Sequence, residues 1–378
     1  MTIMKLNILY CFLIVIGCYS CAATKSEKIE DVTLQIHPNY VPASSLVMPS
    51  NIIQLKDDGP QSIIGEIDKI IYWGEDVYIF DDTHDMISCF DSEGQLKAST
   101  KKYIGHGKNE YVHLVDVSFD EVDSLLYVLC DTPSEIMVFD KGLNVVSVHP
   151  LSLMPLEMCV NSNHILLFSV NHDKGVYEIH TLDKHHLNES PNLLLTSEIL
   201  VDRIMGLGKN VLSTQGECWI ALPFNNCLYK IEDGKIGETY RVLFEDKWFV
   251  KRGGKAIGFL EENTDKVWTI QNMQRMGALL WFNSNTEDIY CLDIHKGVCH
   301  CYSAMVHDAI PFATQLMIPQ QGKKDCISFR VFPEFINSYV KKMEKHHLEG
   351  KEHDLYVAAK KYQKEKNAMI IDWKTSTP

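Results

Sequence analysis

The chain has 378 residues, 46% of them hydrophobic and 10% aromatic, which is ample for a large core and excludes a disordered protein. It carries 36 basic against 50 acidic residues, a formal charge of −14. No basic cluster is interleaved with aromatics, so nucleic acid is excluded as a partner: phosphate binding needs Lys and Arg concentrated on one face.

The N-terminus reads as a targeting segment. Lys5 supplies a positive charge, and Leu6 to Ile16 form an apolar run too short for the roughly 20 residues that span a bilayer. The run ends in Val15-Ile16-Gly17-Cys18, a small residue before a cysteine. This pattern predicts a lipoprotein signal peptide over residues 1–17 and lipidation of Cys18. Cys21 is a rival, and Val15, three positions before the cut, favours Cys18. Residues 18–31 then form a polar, lipidated tether, with the folded body over 32–378. Within it, Val32 to Ile36 is a candidate N-terminal strand for closing the fold.

A repeat follows. Val77-Tyr78-Ile79-Phe80 with Ile87-Ser88-Cys89-Phe90-Asp91 superposes without a gap on Leu126-Tyr127-Val128-Leu129 with Ile136-Met137-Val138-Phe139-Asp140, at an offset of 49. Weaker copies begin near Leu167, Trp219 and Leu280. Each unit is two apolar strands joined by a polar turn. The mean interval of about 50 residues suits propeller blades. A small meander cannot cover its own faces, whereas radial packing buries them between neighbours. Five visible copies and the remaining length predict an all-β fold, a six-bladed β-propeller. Its last blade is expected to use Cys326 to Val331 and Ala368 to Trp373. Between these, residues 334–366 carry apolar side chains at helical spacing (Phe335, Ile336, Tyr339, Val340, Met343) and predict a helical insertion that packs as a cap.

These segments resemble a known family. Tyr78-Ile79-Phe80-Asp81 with Ile87-Ser88-Cys89-Phe90-Asp91 resembles the NHL repeat, a Y-V-A-D strand followed by R-I-Q-V-F-D. Ile63 to Ile70 looks like the opening of the six-bladed β-propeller lipoproteins of Bacteroidetes-type bacteria. The inter-blade stretch Ile104-Gly105-His106-Gly107-Lys108-Asn109-Glu110-Tyr111 resembles that family's G-x-G-P-G-E-Y loop, with Lys108-Asn109 where the family favours Pro-Gly. Asn367 to Lys374 resembles its closing strand. The likeness is good over residues 52–150 and at the C-terminus and poor over 190–330. It implies a fold and an envelope address, and no agreed activity.

Candidate chemistry is sparse. Asp81, Asp82 and Asp131 end the first recurring strand, where a carboxylate accepts backbone N–H bonds in the next turn. The alternative is a carboxylate ring that binds Ca²⁺ at the channel mouth. Gly105 and Gly107, with Glu110 and Tyr111, form a structural turn rather than a phosphate cradle, since a strand and not a helix follows. Cys291, His295, Cys299, His300 and Cys301 lack paired zinc-ligand spacing. Sixteen histidines, five of them (His164, His172, His180, His185, His186) crowding one blade, have no recognisable partners. Ten cysteines remain after Cys11 leaves and Cys18 is lipidated, and these are expected mostly as buried thiols. No nucleophile elbow or Walker loop is present, and no cofactor or metal is expected. The expected function is a non-enzymatic binding or scaffolding lipoprotein of the cell envelope, held to the membrane by its lipid anchor. It would sit on the outer membrane, on the periplasmic or surface side, with a peptide, glycan or protein ligand over the central channel. The alternative is a metal-dependent enzyme of the lactonase or lyase kind.

Overall fold

The hairpins marked by the repeat are the second and third strands of each blade in a computed structural model. This structure describes residues 29–37, 41–200, 209–214, 217–251, 255–256, 262–286, 288–303, 305–306, 310, 317–323 and 325–375. Cys18 and Cys21 lie outside the described residues.

The first blade consists of Lys69–Trp73, Asp76–Asp81, Met86–Phe90 and Leu96–Ser99, an antiparallel meander running outward from the centre. The second is Leu114–Asp120, Leu125–Asp131, Ser134–Phe139 and Val145–Pro150, and the third Glu157–Val160, His164–Asn171, Val176–Asp183 and Asn192–Glu198. The fourth is Val211–Thr214, Glu217–Ala221, Cys227–Glu232 and Lys235–Leu243, and the fifth Ile270–Met276, Leu279–Ser284, Ile289–Asp293 and Val298–Tyr302. Phe80 faces Ile87 across the first hairpin, and Leu129 faces Ile136 across the second, so the sequence offset is kept in register.

Alternation along these strands places apolar side chains on both blade faces, and neighbouring blades cover them. Tyr78, Phe80, Ile87 and Cys89 of the first blade pack with Leu126, Val128, Met137 and Phe139 of the second. Ile136, Val138 and Leu129 face the other way, onto Met158, Val160, Ile165 and Leu167 of the third.

Ring closure takes a different N-terminal segment from the one expected. The sixth blade runs Met317–Ile318, Ile327–Val331, Met369–Thr375 and, outermost, Val47–Gln54. Val47–Gln54 contains Pro49, Ser50 and Asn51, a poor strand sequence. An outermost strand tolerates proline because one edge makes no ladder bonds, and the register shifts between Pro49 and Asn51. Val32 to Ile36 belongs instead to the strand Ile29–His37. Its first half pairs in parallel with the outer strand of the fourth blade, Ile29 opposite Thr239. Its second half pairs in parallel with that of the fifth, Leu34 opposite Cys299. One strand thereby staples two blades into a nine-stranded sheet. It begins at Ile29, so the last residues of the expected tether belong to the folded body.

The seam between the sixth and first blades is polar and buried. Asp372 is fully buried and accepts hydrogen bonds from Ser328 Oγ at 2.7 Å and Asn51 Nδ2 at 3.2 Å. Tyr72 OH also donates to it, and Lys323 Nζ pairs with it at 2.6 Å. Gly322, at φ 78°, brings its backbone so close to Tyr72 O that a Cβ would lie 1.9 Å away.

The predicted insertion is two helices, Pro333–Met343 and Gly350–Tyr362. Pro333 opens the first, where its missing N–H costs nothing. Ile336, Val340 and Ala359 sink into the same core as Val331, Met369 and Trp373, so the helices cap the last blade. Nine cysteines are described, all buried and unbridged.

Candidate functional site

Meander geometry decides which residues share a face. Each blade's innermost strand starts at the end of the ring where its second strand stops and its third begins. Residues just before an innermost strand therefore meet the turns between second and third strands on one face. Lys69, Asp116 and Glu157 lie on the innermost strands of the first three blades, and Lys209 just precedes that of the fourth. Lys69, Asp116 and Glu157 are almost fully buried, whereas about 20% of the Lys209 side chain reaches solvent.

These groups form one charge network around the channel. Lys69 Nζ lies 2.7 Å from Asp116 Oδ1 and donates to Val117 O at 2.8 Å. Lys209 Nζ approaches the same Oδ1 at 3.5 Å and donates to Val115 O at 3.3 Å. Asp116 Oδ2 accepts the N–H of Met158 at 2.9 Å, which ties the second blade to the third. Glu157 Oε2 accepts the N–H groups of Asn210 at 2.7 Å and Val211 at 3.0 Å, which ties the third to the fourth. Gln274 Oε1 accepts the Ser328 N–H at 2.7 Å across the fifth and sixth blades.

Burial and charge pull these carboxyls apart. Burial opposes ionisation of Asp116, but Lys209, Lys69 and the Met158 N–H outweigh it and hold its carboxyl below the ordinary range. Glu157 is pushed up to about 7, chiefly by burial, with Lys209 opposing and Asp116 adding. Asp68, in the connection entering the first blade, rises to about 6 for the same main reason. Lys209 stays protonated: burial disfavours its charge, but Asp116, Glu157, Asp68 and Asp82 more than offset this. The mouth therefore holds one carboxyl that burial fails to raise, Asp116, and two that it lifts towards neutrality, Asp68 and Glu157.

The sequence-predicted carboxylates separate into different roles. Asp81 is fully buried, and its oxygens accept the N–H groups of Gly65 at 2.7 Å, Glu66 at 3.2 Å and His84 at 3.2 Å, with His84 Nδ1 at 2.8 Å. Asp82 is exposed at the mouth, and its N–H donates to Asp68 Oδ2 at 2.9 Å. Asp82, Asp85 and His113 place one ligand atom each within 4.8 Å of one another, the arrangement in the described residues that could hold a metal ion. Asp85 Oδ1 is already engaged, by the Leu114 N–H at 3.1 Å and by His113 Nδ1. His113 is held above its ordinary value: burial opposes, and Asp85, Asp131 and Asp82 prevail. Asp131 Oδ1 is buried without a hydrogen-bond partner among the described residues.

In the inter-blade loop, Gly107 N–H donates to Glu110 Oε2 at 2.6 Å, and Gly105 N–H to Tyr111 O at 2.9 Å. A Cβ on Gly105 would lie 2.2 Å from Glu110 Oε2, so the glycine admits the folded-back carboxylate. Asn109 takes φ 61°, the left-handed conformation that asparagine tolerates. Tyr111 is buried, and its OH donates to Thr100 Oγ1 at 2.7 Å.

The other clusters disperse. Cys291 packs on one face of the fifth blade and Cys299 and Cys301 on the opposite face, while His300 contacts His37 at 3.0 Å. Of the crowded histidines, His180 pairs with Glu178 and His186 with Asp183, and His172 and His185 are exposed. Sequence reasoning missed Lys69, Asp85, His113, Asp116, Glu157 and Lys209. A signal existed: single charges interrupt short apolar runs at Val115-Asp116-Val117 and Leu156-Glu157-Met158.

The family model described as "6-bladed beta-propeller" matches residues 27–309. The chain belongs to that family. A candidate exported protein of Bacteroides fragilis is similar in structure, with a TM-score of 0.68 at 10% identity, covering 91% of this chain and 99% of its own. BamB from Moraxella catarrhalis matches at a TM-score of 0.39 and 12% identity, over 67% of this chain and 66% of its own. No curated protein matches the chain.

Proposed function

We propose that this propeller is an exported, lipid-anchored envelope protein that binds a peptide or glycan over the channel mouth without chemical turnover. One observation carries the binding role. Lys209, partly open to solvent, stands among Asp68, Asp82, Asp116 and Glu157 at the floor of the mouth. Mixed donors and acceptors on a rigid ring suit amides and hydroxyls. The signal-peptide pattern over residues 1–17, directly before Cys18, and the fold shared with a candidate exported protein support the address. The competing reading, a metal-dependent lactonase or lyase, rests on Asp82, Asp85 and His113. It is disfavoured because Asp85 Oδ1 already serves Leu114 and His113.

The test is a peptide and glycan array probed with the mature chain. Bound compounds should be lost in Lys209→Met and released unchanged. Binding that survives Lys209→Met overturns the channel-mouth reading, and Ca²⁺-dependent turnover lost in Asp82→Asn supports the enzyme. Radiolabelled lipid incorporation should be lost in Cys18→Ala and kept in Cys21→Ala; the reverse makes Cys21 the anchor.

A further inference from the structure

A second cleft lies on the same face, at the rim between the first two blades and away from the channel. Its volume is about 340 Å³. One wall is the loop Gly105 to Glu110, the other Thr132, Pro133 and Glu135, with Val112 and Val148 between them. Glu135 is the second residue of the third strand of the second blade and is only 8% exposed. Its carboxylate has no hydrogen-bond donor and no cation among the described residues, and burial alone raises its pKa. Its oxygens keep access to solvent through the cleft, so a cation that enters there can meet the carboxylate and offset the desolvation of the rest of the side chain.

An anion does not fit. Three of the loop N–H groups are already engaged, Gly107 on Glu110, Gly105 on Tyr111 O and Glu110 on Gly107 O, and two carboxylates on the lining repel an anion. The second of these two carboxylates, Glu110, accepts the Gly107 N–H through Oε2. His106 and Lys108 are exposed on the loop and reach neither carboxylate. Val112, Val148 and Pro133 offer an apolar lining for an alkyl stem.

We propose that this cleft binds an alkylammonium group, of a free amine or a lysyl side chain, with the ammonium on Glu135 and the stem along Val112, Val148 and Pro133. The site is independent of the channel-mouth reading, since no residue is shared with it.

The test is isothermal titration calorimetry at low salt, using n-butylammonium and the blocked peptide acetyl-Gly-Lys-Gly-amide, with n-butanol and the norleucine peptide as neutral counterparts. Saturable binding of either cation is expected, with both neutral compounds inert, and the tighter of the two identifies a free amine or a lysyl side chain as the occupant. Losing a charge-assisted hydrogen bond should weaken binding about tenfold or more in Glu135→Gln. Lys108→Met should leave binding equal or tighter; weaker binding there would point to an anion site and overturn the proposal. In the wild type, binding should weaken on acidification as Glu135 takes up a proton. The other titratable groups around it are Glu110, His106, Lys108 and Cys130, whose thiol burial keeps neutral. No saturable binding of either cation, equal binding of the neutral counterparts, or an unchanged affinity in a folded Glu135→Gln overturns the proposal.

Discussion

Replacing Glu157 by glutamine should stabilise the ring at neutral and higher pH and do nothing in acid. Glutamine keeps an oxygen for the Asn210 and Val211 N–H groups that Glu157 Oε2 now accepts. What it removes is a buried charge. The carboxyl rises from an ordinary 4.5 to about 7 in the folded chain. Between those values the folded state binds more protons than the unfolded one, so stability falls as pH rises through the interval. Each pH unit crossed costs about 1.4 kcal/mol, so the interval costs about 3 kcal/mol, fully expressed above about pH 8 and absent near pH 4. The variant lacks this slope. Urea unfolding of wild type and variant, followed by tryptophan fluorescence, should show coincident stabilities near pH 4 and a variant more stable by about 3 kcal/mol near pH 8. A difference that stays constant across pH, or a variant weaker at pH 8, refutes the claim that burial dominates at Glu157.

Two further outcomes follow from the seams. Asp372→Ala strands Tyr72, Ser328 and Lys323 at the closure of the ring, and should cost about 3 kcal/mol in urea unfolding, whereas Asp372→Asn should cost less. His300 is held below its ordinary 6.5, first by burial and then by His37, with Asp293 opposing and Lys296 adding. Its contribution to stability is present above 6.5 and is lost as pH falls below 6.5 through the lower folded value. Amide protection over Ile29–His37, corrected for intrinsic exchange, should therefore drop on acidification, and His300→Gln should remove the drop.

The second and third strands of each blade were readable because both faces are apolar and the register repeats, as at Tyr78 and Tyr127. Of the innermost strands, the one that follows the Gly105–Tyr111 loop was readable, and the others were not. Innermost strands interrupt their apolar runs with Lys69, Asp116, Glu157 and Gln274, whose partners come from other blades and leave no local pattern. The closing strand was hidden by Pro49, which only an outermost position tolerates. Val32 to Ile36 reads as a strand and is one, but nothing in its alternation says which blade it joins. Asp82 was singled out from the repeat, whereas Asp85 and His113 come together only across the junction of two blades. Glu135 was invisible because its meaning lies in a missing partner.

The stapling strand also sets an order of assembly. Ile29–His37 needs Lys235–Leu243 and Val298–Tyr302 before it can dock, and Val47–Gln54 needs Met369–Thr375. The first segments of the body to be synthesised are thus the last to find their places. At roughly 5–20 residues per second, the wait for the closing strand is on the order of tens of seconds. Contacts so distant in sequence also slow folding, since loop-closure entropy is met before they reward it. Until then two edge strands stand open to foreign pairing. Folding that begins only after the whole chain has been delivered would shorten this exposure.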